Sequence, residues 1–393
     1  MTKKSDTPAI RFKGFTDTWE QRKLGEMGQT YTGLSGKTKD DFGHGSGKFI
    51  TYMNVFSNPV ASSNMTEAIE IDDSQNKVQF GDVLFTTSSE TPDEVGMSSV
   101  WLENAENTYL NSFCFGYRPT TEYNPYYLAY MLRSSSMRKK ITFLAQGISR
   151  YNISKNKMMD IEMPIPSIDE QKQIGEYFRN LDNLITLHQR KYDKLTNVKK
   201  SMLEKMFPKN GSNVPEIRFK GFTEAWEQRK FSELYEKVSR KNDLTYGKDD
   251  IISVANMYFK EDSYITDESY LLTYNIFELG DIAFEGNKSK NYAHGRFVEN
   301  TIGNGIVSHV FDVFKPIMKP YDLQFWKYAI NNEQLMGGIL LRSTKASTMM
   351  TNLVANDFLQ ETFLTPTYPE QQKIGAFFQQ LDNLITLHQR EPT

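Results

Sequence analysis

The stretch LDNLITLHQR occupies residues 181–190 and occurs again, letter for letter, at residues 381–390. An identity of this length within a chain of 393 residues shows that the sequence contains an internal repeat. Most of the sequence between the two copies differs from the sequence before the first copy. The repeated unit therefore consists of a divergent body followed by a nearly identical tail.

Short flanking matches define where each repeated unit begins and ends. IRFKGFT at 10–16 recurs at 217–223, and PSIDEQKQIGEYF at 166–178 corresponds to PTYPEQQKIGAFF at 366–378. Between these flanks the halves agree only in pattern, as in QFGDVLFT at 79–86 and ELGDIAFE at 278–285. We therefore predict four segments, which are body 1 (10–165), a central helix segment (166–210), body 2 (217–365) and a distal helix segment (366–393).

The tails have the apolar spacing of long amphipathic helices. This spacing predicts a first helix over residues 172–207, whose 36 residues would extend about 54 Å. The likeness of the tails indicates that the two helices pair as an antiparallel coiled coil; the alternative is that each helix packs only on its own body. After the second LDNLITLHQR the chain reads EPT, whereas the first copy continues with KYDKLTNVKKSMLEKMFP. The predicted seam residues are Ile174, Phe178, Leu181, Ile185 and His188 in the first helix and Ile374, Phe378, Leu381, Ile385 and His388 in the second.

Both bodies contain short runs of β-forming residues interrupted by Gly, Asn, Asp and Pro, such as 48–55, 77–86 and 250–256. A helix is predicted after each set of runs, beginning at Asn124-Pro125 in body 1 and at Pro320 in body 2. The predicted fold class is α+β. It has two tandem globular bodies of mixed α and β structure, separated by long paired helices and arranged with pseudo-two-fold symmetry.

The composition indicates a soluble protein of a reducing compartment. A formal net charge of −3 argues mildly against a whole surface that binds nucleic acid, but it does not exclude local basic patches. The single cysteine, Cys114, excludes an internal disulfide and is expected to be buried within the apolar run FCFGY. No apolar run is long enough to span a bilayer and the N-terminus has no secretory signal, so we expect a cytoplasmic protein without membrane contact.

Each body carries a stretch in which basic residues alternate with small polar and aromatic residues. Residues 138–157 contain six basic residues and no acidic one, and 286–296 and 341–348 are similar stretches in body 2. Such mixtures suit contacts to phosphates and to base edges, although a basic cluster is also compatible with an ordinary solvated face. The candidate DNA-binding residues are Thr87, Ser88, Ser89, Lys139, Arg150, Tyr151 and Lys155 in body 1 and Lys288, Lys290, Asn291, Arg342 and Lys345 in body 2.

The sequence lacks the familiar signatures of catalysis. There is no GxxxxGK[ST] phosphate loop, no HExxH and no paired-cysteine site. Residues 124–127 read NPYY, which differs from the methyltransferase motif Asn/Asp-Pro-Pro-aromatic at the third position. Glu90, Asp93 and Glu94 are close in sequence but belong to a loop-like stretch, so we assign no metal site and no catalytic residue.

This organisation resembles the DNA specificity subunits of type I restriction–modification systems. The resemblance rests on IRFKGFT and the WEQRK that follows it before each body, on the run from Gly81 to Phe85 and from Gly280 to Phe284, and on the P-x-x-x-EQxxI motif that begins each tail. It covers nearly the whole chain. It implies that each body is a target recognition domain for one half of an asymmetric, bipartite site in double-stranded DNA, with the helices setting the gap between the halves.

The resemblance also implies partners that carry the chemistry. Two modification subunits would bind S-adenosylmethionine and methylate adenine, and restriction subunits would use ATP and Mg to translocate and cleave DNA. This chain would hold no cofactor and would not be an enzyme. Two other functions remain open on the sequence, namely a duplicated protein-interaction scaffold without direct DNA reading and a stand-alone enzyme with an unrecognised site.

Overall fold

The computed structural model describes residues 8–209, 211–261, 265, 267–346 and 350–389. The chain divides into two compact units, Met1–Thr186 (unit 1) and Leu187–Thr393 (unit 2). The boundary falls inside the central helix, so each unit contains one body and part of the helical segments. Residues 347 and 348 of the basic stretch LRSTKAST, and residues 390–393 at the end of the second tail, lie outside the described residues.

Unit 1 contains a five-stranded sheet of order β2-β10-β6-β8-β4 and a three-stranded sheet of order β5-β3-β9. The strands are β1 (Glu20–Lys23), β2 (Gly28–Thr32), β3 (Phe42–Ile50), β4 (Val60–Ala61), β5 (Thr66–Ile69), β6 (Val83–Thr86), β7 (Ser88–Ser89), β8 (Ser98–Trp101), β9 (Thr108–Leu110), β10 (Cys114–Pro119), β11 (Tyr151–Asn152) and β12 (Glu162–Ile165). The helices are α1 (Leu24–Met27), α2 (Tyr52–Ser57), α3 (Pro125–Met131), α4 (Ser135–Thr142), α5 (Lys155–Met159) and α6 (Ile168–Lys205).

The main sheet of unit 1 is buried on both faces. Successive side chains of a strand point to opposite faces, so Val83 and Phe85 of β6 join one core with residues of α1, α3, α4 and α5. Leu84 points the other way and joins a second core with Ile50 and Val55. Cys114 belongs to this second core at 3% exposure, as predicted, and burial raises the pKa of its thiol.

Unit 2 repeats this plan with a four-stranded sheet of order β14-β21-β18-β19. The strands are β13 (Glu227–Lys230), β14 (Tyr235–Val238), β15 (Ile252–Ser253), β16 (Tyr258–Phe259), β17 (Asn275–Phe277), β18 (Ile282–Glu285), β19 (Arg296–Glu299), β20 (Gly305–Val307), β21 (Val313–Pro316), β22 (Thr344–Ala346), β23 (Thr351–Leu353) and β24 (Thr362–Thr365). The helices are α7 (Phe231–Leu234), α8 (Leu323–Ile330), α9 (Glu333–Ser343), α10 (Ala355–Gln360) and α11 (Tyr368–Gln389).

Several boundaries differ from the sequence prediction, and in the run 77–86 only Val83–Thr86 is a strand. The run 48–55 is not one strand, because β3 ends at Ile50 and α2 begins at Tyr52. The hydroxyl of Thr51 accepts a hydrogen bond from the Asn54 amide at 3.2 Å, which caps α2 and ends the strand. In the run 250–256 only Ile252–Ser253 is a strand, and α6 spans 168–205 rather than 172–207.

The glycine–aspartate pair before β6 and before β18 has a structural role in both units. Gly81 and Gly280 have φ angles of 87° and 89°, which side-chain-bearing residues rarely adopt. Asp82 is 1% exposed and its carboxylate accepts hydrogen bonds from Arg118 at 2.7 and 2.9 Å. Arg240 pairs with the buried Asp281 and also contacts Glu278. In each unit the glycine therefore turns the chain, and an arginine balances the charge of the buried aspartate.

Each body closes on itself where its two ends meet. β1 pairs with β12 and β13 pairs with β24, both antiparallel and in the same four-residue register. The strand EQRK thus begins each body beside the strand that precedes its long helix. Because the pairing uses backbone groups, the same EQRK sequence accommodates two different partner strands, EMPI and TFLT.

A buried ion pair fixes the start of each long helix. Arg11 donates two hydrogen bonds to Glu170 at 2.6 and 2.7 Å, and Arg218 donates two to Glu370 at 2.7 Å each. The two glutamate side chains are 1% exposed. Since a bidentate pair combines charge with fixed geometry, the arginine of IRFKGFT holds the EQ motif in place.

A glycine five residues after each of these glutamates lets the body approach each long helix. A Cβ atom at Gly175 would lie 2.5 Å from the Asn124 side-chain oxygen, and one at Gly375 would lie 2.6 Å from that of Asp322. Asn124 and Asp322 cap α3 and α8. Any larger residue at the two glycines would therefore push these capped helix ends away.

Within unit 2 the second half of α6 runs antiparallel to α11. His188 faces His388, with their Nδ1 atoms 2.9 Å apart, and Lys199 pairs with Asp382 at 2.5 Å. Beyond the end of α6, Phe207 lies on Phe378 with ring centroids 6.3 Å apart. Successive contacts therefore run towards higher residue numbers along α6 and lower residue numbers along α11, as in an antiparallel pair.

The predicted seam residues have different surroundings in the two tails. Ile374, Phe378 and Leu381 are buried at 2%, 0% and 7% exposure, and Ile385 is half-buried. In unit 1, Phe178, Leu181 and Ile185 are exposed at 42%, 37% and 61%, and Ile174 is half-buried against the body 1 core.

The histidine contact predicts a pH-dependent stability of unit 2. Desolvation, together with His188 and Lys191, lowers the pKa of His388 below its ordinary value of 6.5. The folded state then binds fewer protons than the unfolded state, so stability is complete above pH 6.5 and falls as the pH drops towards the folded-state pKa. We expect the melting temperature of His188→Gln to depend less on pH between 7 and 5.5 than that of the unmodified chain. Equal pH dependence of the two proteins would contradict this prediction.

Candidate nucleic-acid interface

One end of the unit 1 sheet carries a cluster of three loops, residues 87–90, 111–114 and 146–152. The Thr87 amide donates to the Phe113 carbonyl at 2.9 Å, and the Ile153 amide donates to the Thr87 carbonyl at 3.0 Å. β7 and β11 pair so that Ser89 lies opposite Tyr151. Residues 88–89 and 151–152, which are more than sixty residues apart in sequence, therefore meet at one edge of the sheet. The pattern of basic residues alone does not predict this contact.

Arg150 lies at the centre of this cluster. Its guanidinium carbon lies 5.8 Å from the centroid of the Phe113 ring, and its Nε donates to the Ser88 hydroxyl at 3.3 Å. Both contacts restrain the side chain while leaving it exposed to solvent. A restrained, exposed guanidinium is suited to a phosphate or to the acceptor edge of guanine.

Two loops of the cluster carry exposed apolar side chains. Phe113 is 55% exposed and Ile148 is 96% exposed. Two acidic residues are also close. Glu94 accepts a hydrogen bond from the Ser89 hydroxyl at 3.1 Å, and Glu90 follows Ser89 in the chain. The surface therefore mixes hydrogen-bonding, cationic and apolar groups, as base-edge recognition requires.

Unit 2 presents the equivalent cluster with different side chains. The loop between β18 and β19 contains a tight turn in which the amides and carbonyls of Ser289 and Tyr292 bond each other at 3.0 and 3.3 Å. Lys290 and Asn291 occupy the tip of this turn and are exposed, as is Lys288 before it. The Thr351 amide donates to the Gly286 carbonyl at 2.8 Å, which joins the loop to the β22–β23 hairpin.

The structure brings some of the candidate DNA-binding residues together and separates others. Thr87, Arg150 and Tyr151 share the unit 1 cluster, and Lys155 follows at the start of α5. Lys288, Lys290, Asn291 and Lys345 occupy the unit 2 loop and its neighbouring hairpin. Lys139 lies on α4, and no described contact connects it to the cluster of its unit.

Ser88, Ser89 and Arg342 have structural roles within their own units. Ser88 and Ser89 are 5% and 8% exposed because they form β7, so they support the loop edge and do not face solvent. Arg342 donates two hydrogen bonds to Glu361 at 2.9 and 2.6 Å, which neutralises its charge within unit 2. A role in DNA contact remains a prediction for all of the candidate residues.

The basic stretch 138–157 is also divided by the fold. Arg138 donates to the carbonyls of Asp93, Val95 and Gly96 at 2.6–2.9 Å, and burial lowers the pKa of its guanidinium. Lys140 donates to the Glu162 carbonyl at 2.5 Å. These two cations thus anchor loops of unit 1, which leaves Arg150 and its neighbours as the basic part of the interface.

In the part of the chain that the structure describes, no group of three or more His, Cys, Asp or Glu side chains could hold a metal ion. Glu94 is engaged by Ser89, as described above. Among the described helices none combines the length and the apolar character that crossing a membrane requires.

Residues 16–197 match the family model described as the type I restriction modification DNA specificity domain. This range covers body 1 and most of α6, and residues 217–389 repeat the same plan. The chain matches the type I specificity subunit family over residues 16–197. The resemblance stated from IRFKGFT, the glycine–aspartate run and the EQ motif is thereby confirmed.

Curated relatives of the family have modest sequence identity. The putative type I restriction enzyme MjaX specificity subunit of Methanocaldococcus jannaschii is 25% identical over 201 residues, which are 49% of this chain and 46% of that protein. The MjaVIII specificity subunit of the same organism is 24% identical over 291 residues, 65% of this chain and 64% of that protein. The matched regions thus span less than two thirds of each of these relatives.

Solved structures show that the whole fold is shared. The S subunit of a type I restriction-modification system from M. genitalium has a TM-score of 0.55 at 12% identity, covering 97% of this chain and 94% of that one. The HsdS subunit of Thermoanaerobacter tengcongensis has a TM-score of 0.50 at 14% identity, covering 98% and 94%. The predicted α+β fold class is confirmed.

Sequence reasoning did not identify the residues that position the loop clusters. Phe113 lies in an apolar run that favours burial, yet its amide donates to the Asn111 side chain at 2.8 Å and its ring faces solvent. The signal that was available is the Asn111-Ser112 pair, which is typical of a turn immediately before β10.

Proposed function

We propose that this chain is the sequence-specific DNA-binding subunit that directs type I methylation and cleavage to an asymmetric bipartite site. Unit 1 and unit 2 each read one half-site, and the helices set the gap between the halves. The observation that carries the proposal is the repetition of one loop cluster on one frame with different side chains. In unit 1 the loop after β6 pairs with the segment that carries Arg150 and Tyr151, and in unit 2 the loop after β18, which carries Lys288, Lys290 and Asn291, bridges to the segment at Met350.

The proposal assigns the chemistry to partner subunits. Two modification subunits would bring S-adenosylmethionine, and restriction subunits would bring ATP and Mg. This chain would bind double-stranded DNA without catalysing a reaction and would act in the cytoplasm. The identical tail sequences support the pair of modification subunits, because two equal partners need two equal surfaces.

Methylome sequencing tests the proposal directly. Cells that express the chain with its modification subunits should show adenine methylation at one bipartite motif, and deletion of this chain should remove that motif alone. An unchanged methylation pattern after deletion would refute the DNA-directing function. The assembled complex should also lose DNA affinity steeply with rising salt, whereas a protein-interaction scaffold would show no such dependence.

The loop clusters predict which half of the site each substitution affects. Arg150→Ala should weaken binding of the complex through the first half-site, and Lys288→Ala through the second. Loss of a base contact should cost about 1–3 kcal/mol and relax a single position, whereas loss of a phosphate contact should weaken all sequences alike. Both outcomes are measured by competition binding against half-site libraries.

Lys172→Ala provides a matched control, since Lys172 is an exposed lysine on α6 outside both clusters and pairs with Asp169 at 3.7 Å. It should leave both half-sites unchanged. An effect of Arg150→Ala on the second half-site would contradict the assignment of one half-site to each unit.

A further inference from the structure

A tight turn that leads into β10 carries an exposed aromatic ring in unit 1. The Cys114 amide donates to the Asn111 carbonyl at 3.1 Å, so residues 111–114 form the turn and Phe113 is its third residue. Turns ordinarily favour Gly, Pro, Asn, Asp or Ser, whereas Phe113 presents 55% of its surface to solvent. A side chain that breaks a local preference in this way is expected at a functional position.

Unit 2 has the same turn at the same place on its sheet. The Phe311 amide donates to the Ser308 carbonyl at 3.1 Å, and the third residue of the turn, Val310, is 66% exposed. Phe113 and Val310 each lie three residues before the residue of β10 or β21 that pairs with the second residue of β6 or β18. Each unit therefore displays an apolar side chain at the corresponding position, and the side chain differs between the units.

The backbone of Phe113 is held on both sides. Its amide donates to the Asn111 side chain at 2.8 Å. Its carbonyl accepts hydrogen bonds from the Thr87 amide at 2.9 Å and from the Thr87 hydroxyl at 2.5 Å. The ring is thus presented from a fixed main chain, which reduces the conformational entropy that is lost when the ring contacts a partner.

A cation accompanies the ring. The Arg150 guanidinium carbon lies 5.8 Å from the centroid of the Phe113 ring, and the Arg150 Nε donates to the Ser88 hydroxyl at 3.3 Å. Because this hydrogen bond uses Nε, the two terminal nitrogens can still donate to acceptors of another molecule. A pair of donors and an apolar surface therefore lie side by side, at a separation of between one and two base-pair steps of about 3.4 Å each.

The major groove of DNA offers a matching pair of groups on adjacent base pairs. Guanine presents two acceptors, N7 and O6, which one arginine can bind together. Thymine presents a C5 methyl group that suits an apolar side chain, and cytosine lacks this methyl group. A phosphate offers no apolar surface, so the exposed ring favours a contact to a base over a contact to the backbone.

We propose that Phe113 is a specificity-determining residue that packs on the C5 methyl group of a thymine, beside a guanine bound by Arg150. This inference rests on the proposed DNA-reading function. It names the bases at two adjacent positions of the half-site that unit 1 reads.

Replacement of thymine by uracil tests the methyl contact, because uracil lacks only the C5 methyl group. The chain is assembled with its modification subunits, and binding is measured to duplexes of the methylated motif in which one thymine at a time is replaced. One replacement, in one half-site, should weaken binding about three- to fivefold, which is the effect of burying a single methyl group. The same replacement should have no further effect on Phe113→Ala, which should bind unmodified DNA at least about threefold more weakly than the unmodified chain.

Phe80→Ala is the matched control. Phe80 has the same exposed fraction as Phe113, 55%, but it precedes β6, at the opposite end of that strand from Thr87. This variant should bind unmodified DNA as the unmodified chain does and should keep the full effect of the uracil replacement. Equal losses of affinity in Phe80→Ala and Phe113→Ala would overturn the proposal.

Replacement of guanine by 7-deazaguanine, which lacks the N7 acceptor, tests the partner of Arg150. The guanine next to the sensitive thymine should lose affinity on this replacement, and Arg150→Ala should remove that loss. If Phe113→Ala weakens binding while no uracil replacement does, the methyl contact is overturned. A motif without a thymine beside a guanine would overturn this inference alone, whereas absence of any motif that depends on the chain would overturn the proposed function as well.

Discussion

Phe378→Ala is expected to lower the free energy of unfolding of unit 2 by about 3–5 kcal/mol, because the ring is fully buried and its removal leaves a cavity. The ring packs on Phe207 and Tyr328, with centroids 6.3 and 5.1 Å away, and both belong to the largest apolar cluster of the unit. Phe178→Ala is the matched control from the other copy. It should cost about 1 kcal/mol or less, because 42% of Phe178 is already in contact with water.

Hydrogen exchange of the two units, measured with increasing urea, separates these effects. Phe378→Ala should accelerate exchange of amides in β18 and α8, and Phe178→Ala should leave exchange in β6 and α3 nearly unchanged. Equal destabilisation by both substitutions would contradict the difference in burial. It would mean that Phe178 is covered in solution.

The sequence identified the repeat, the long helices and the fold class because these features depend on periodic, local patterns. Ile374, Phe378 and Leu381 are predicted to form a seam from spacing alone, and all three are buried. The same spacing gives the same prediction for Phe178 and Leu181, which are exposed. Spacing indicates that a helix face is apolar, but the segment that covers it lies elsewhere in the chain.

The candidate interface was less accessible to sequence reasoning because charge patterns do not show partners. Arg138 and Arg150 belong to one basic stretch, yet Arg138 is held by three backbone carbonyls and Arg150 faces solvent. Arg342 similarly pairs with Glu361, nineteen residues later in the chain. Only the three-dimensional pairing of loops decides which cations remain exposed to solvent.

The roles of the repeated glycines and of the ion-paired arginines could also be assigned only from the structure. Gly175 and Gly375 follow the EQ motif in both copies. A glycine is needed there because Asn124 and Asp322 approach from a distant part of each body. Arg11 and Arg218 reach glutamates more than one hundred and fifty residues away. Identical residues in two copies indicate that a position matters, and the contact shows why.

A chimera with two copies of body 2 is expected to convert the asymmetric site into a symmetric one. Residues 24–165 are replaced by residues 231–365, so that both units carry the unit 2 loop cluster. The first half-site should disappear from the methylome, and the second should occur twice. Since each mismatched base pair typically costs about 1–3 kcal/mol, loss of a whole half-site should abolish methylation of the original motif.

The junctions of this chimera are compatible with the fold. Residues 20–23 and 227–230 are both EQRK, and the strands that pair with them end at Ile165 and Thr365 in the same register. The contact to the long helix is also preserved, because Tyr328 bonds Asp382 as Tyr130 bonds Asp182. Misfolding is checked by the melting temperature and by retained assembly with the modification subunits.

The orientation of the repeated half-site distinguishes two arrangements of the units. Pseudo-two-fold symmetry, as the sequence predicts, requires the two half-sites of the chimera to be inverted, because identical readers related by a two-fold axis bind a palindrome. Two half-sites in the same orientation would refute the pseudo-two-fold symmetry. Each unit would still read one half-site. A chimera that still methylates the original asymmetric motif would refute the assignment of the first half-site to residues 24–165, since none of the unit 1 loop cluster remains in it.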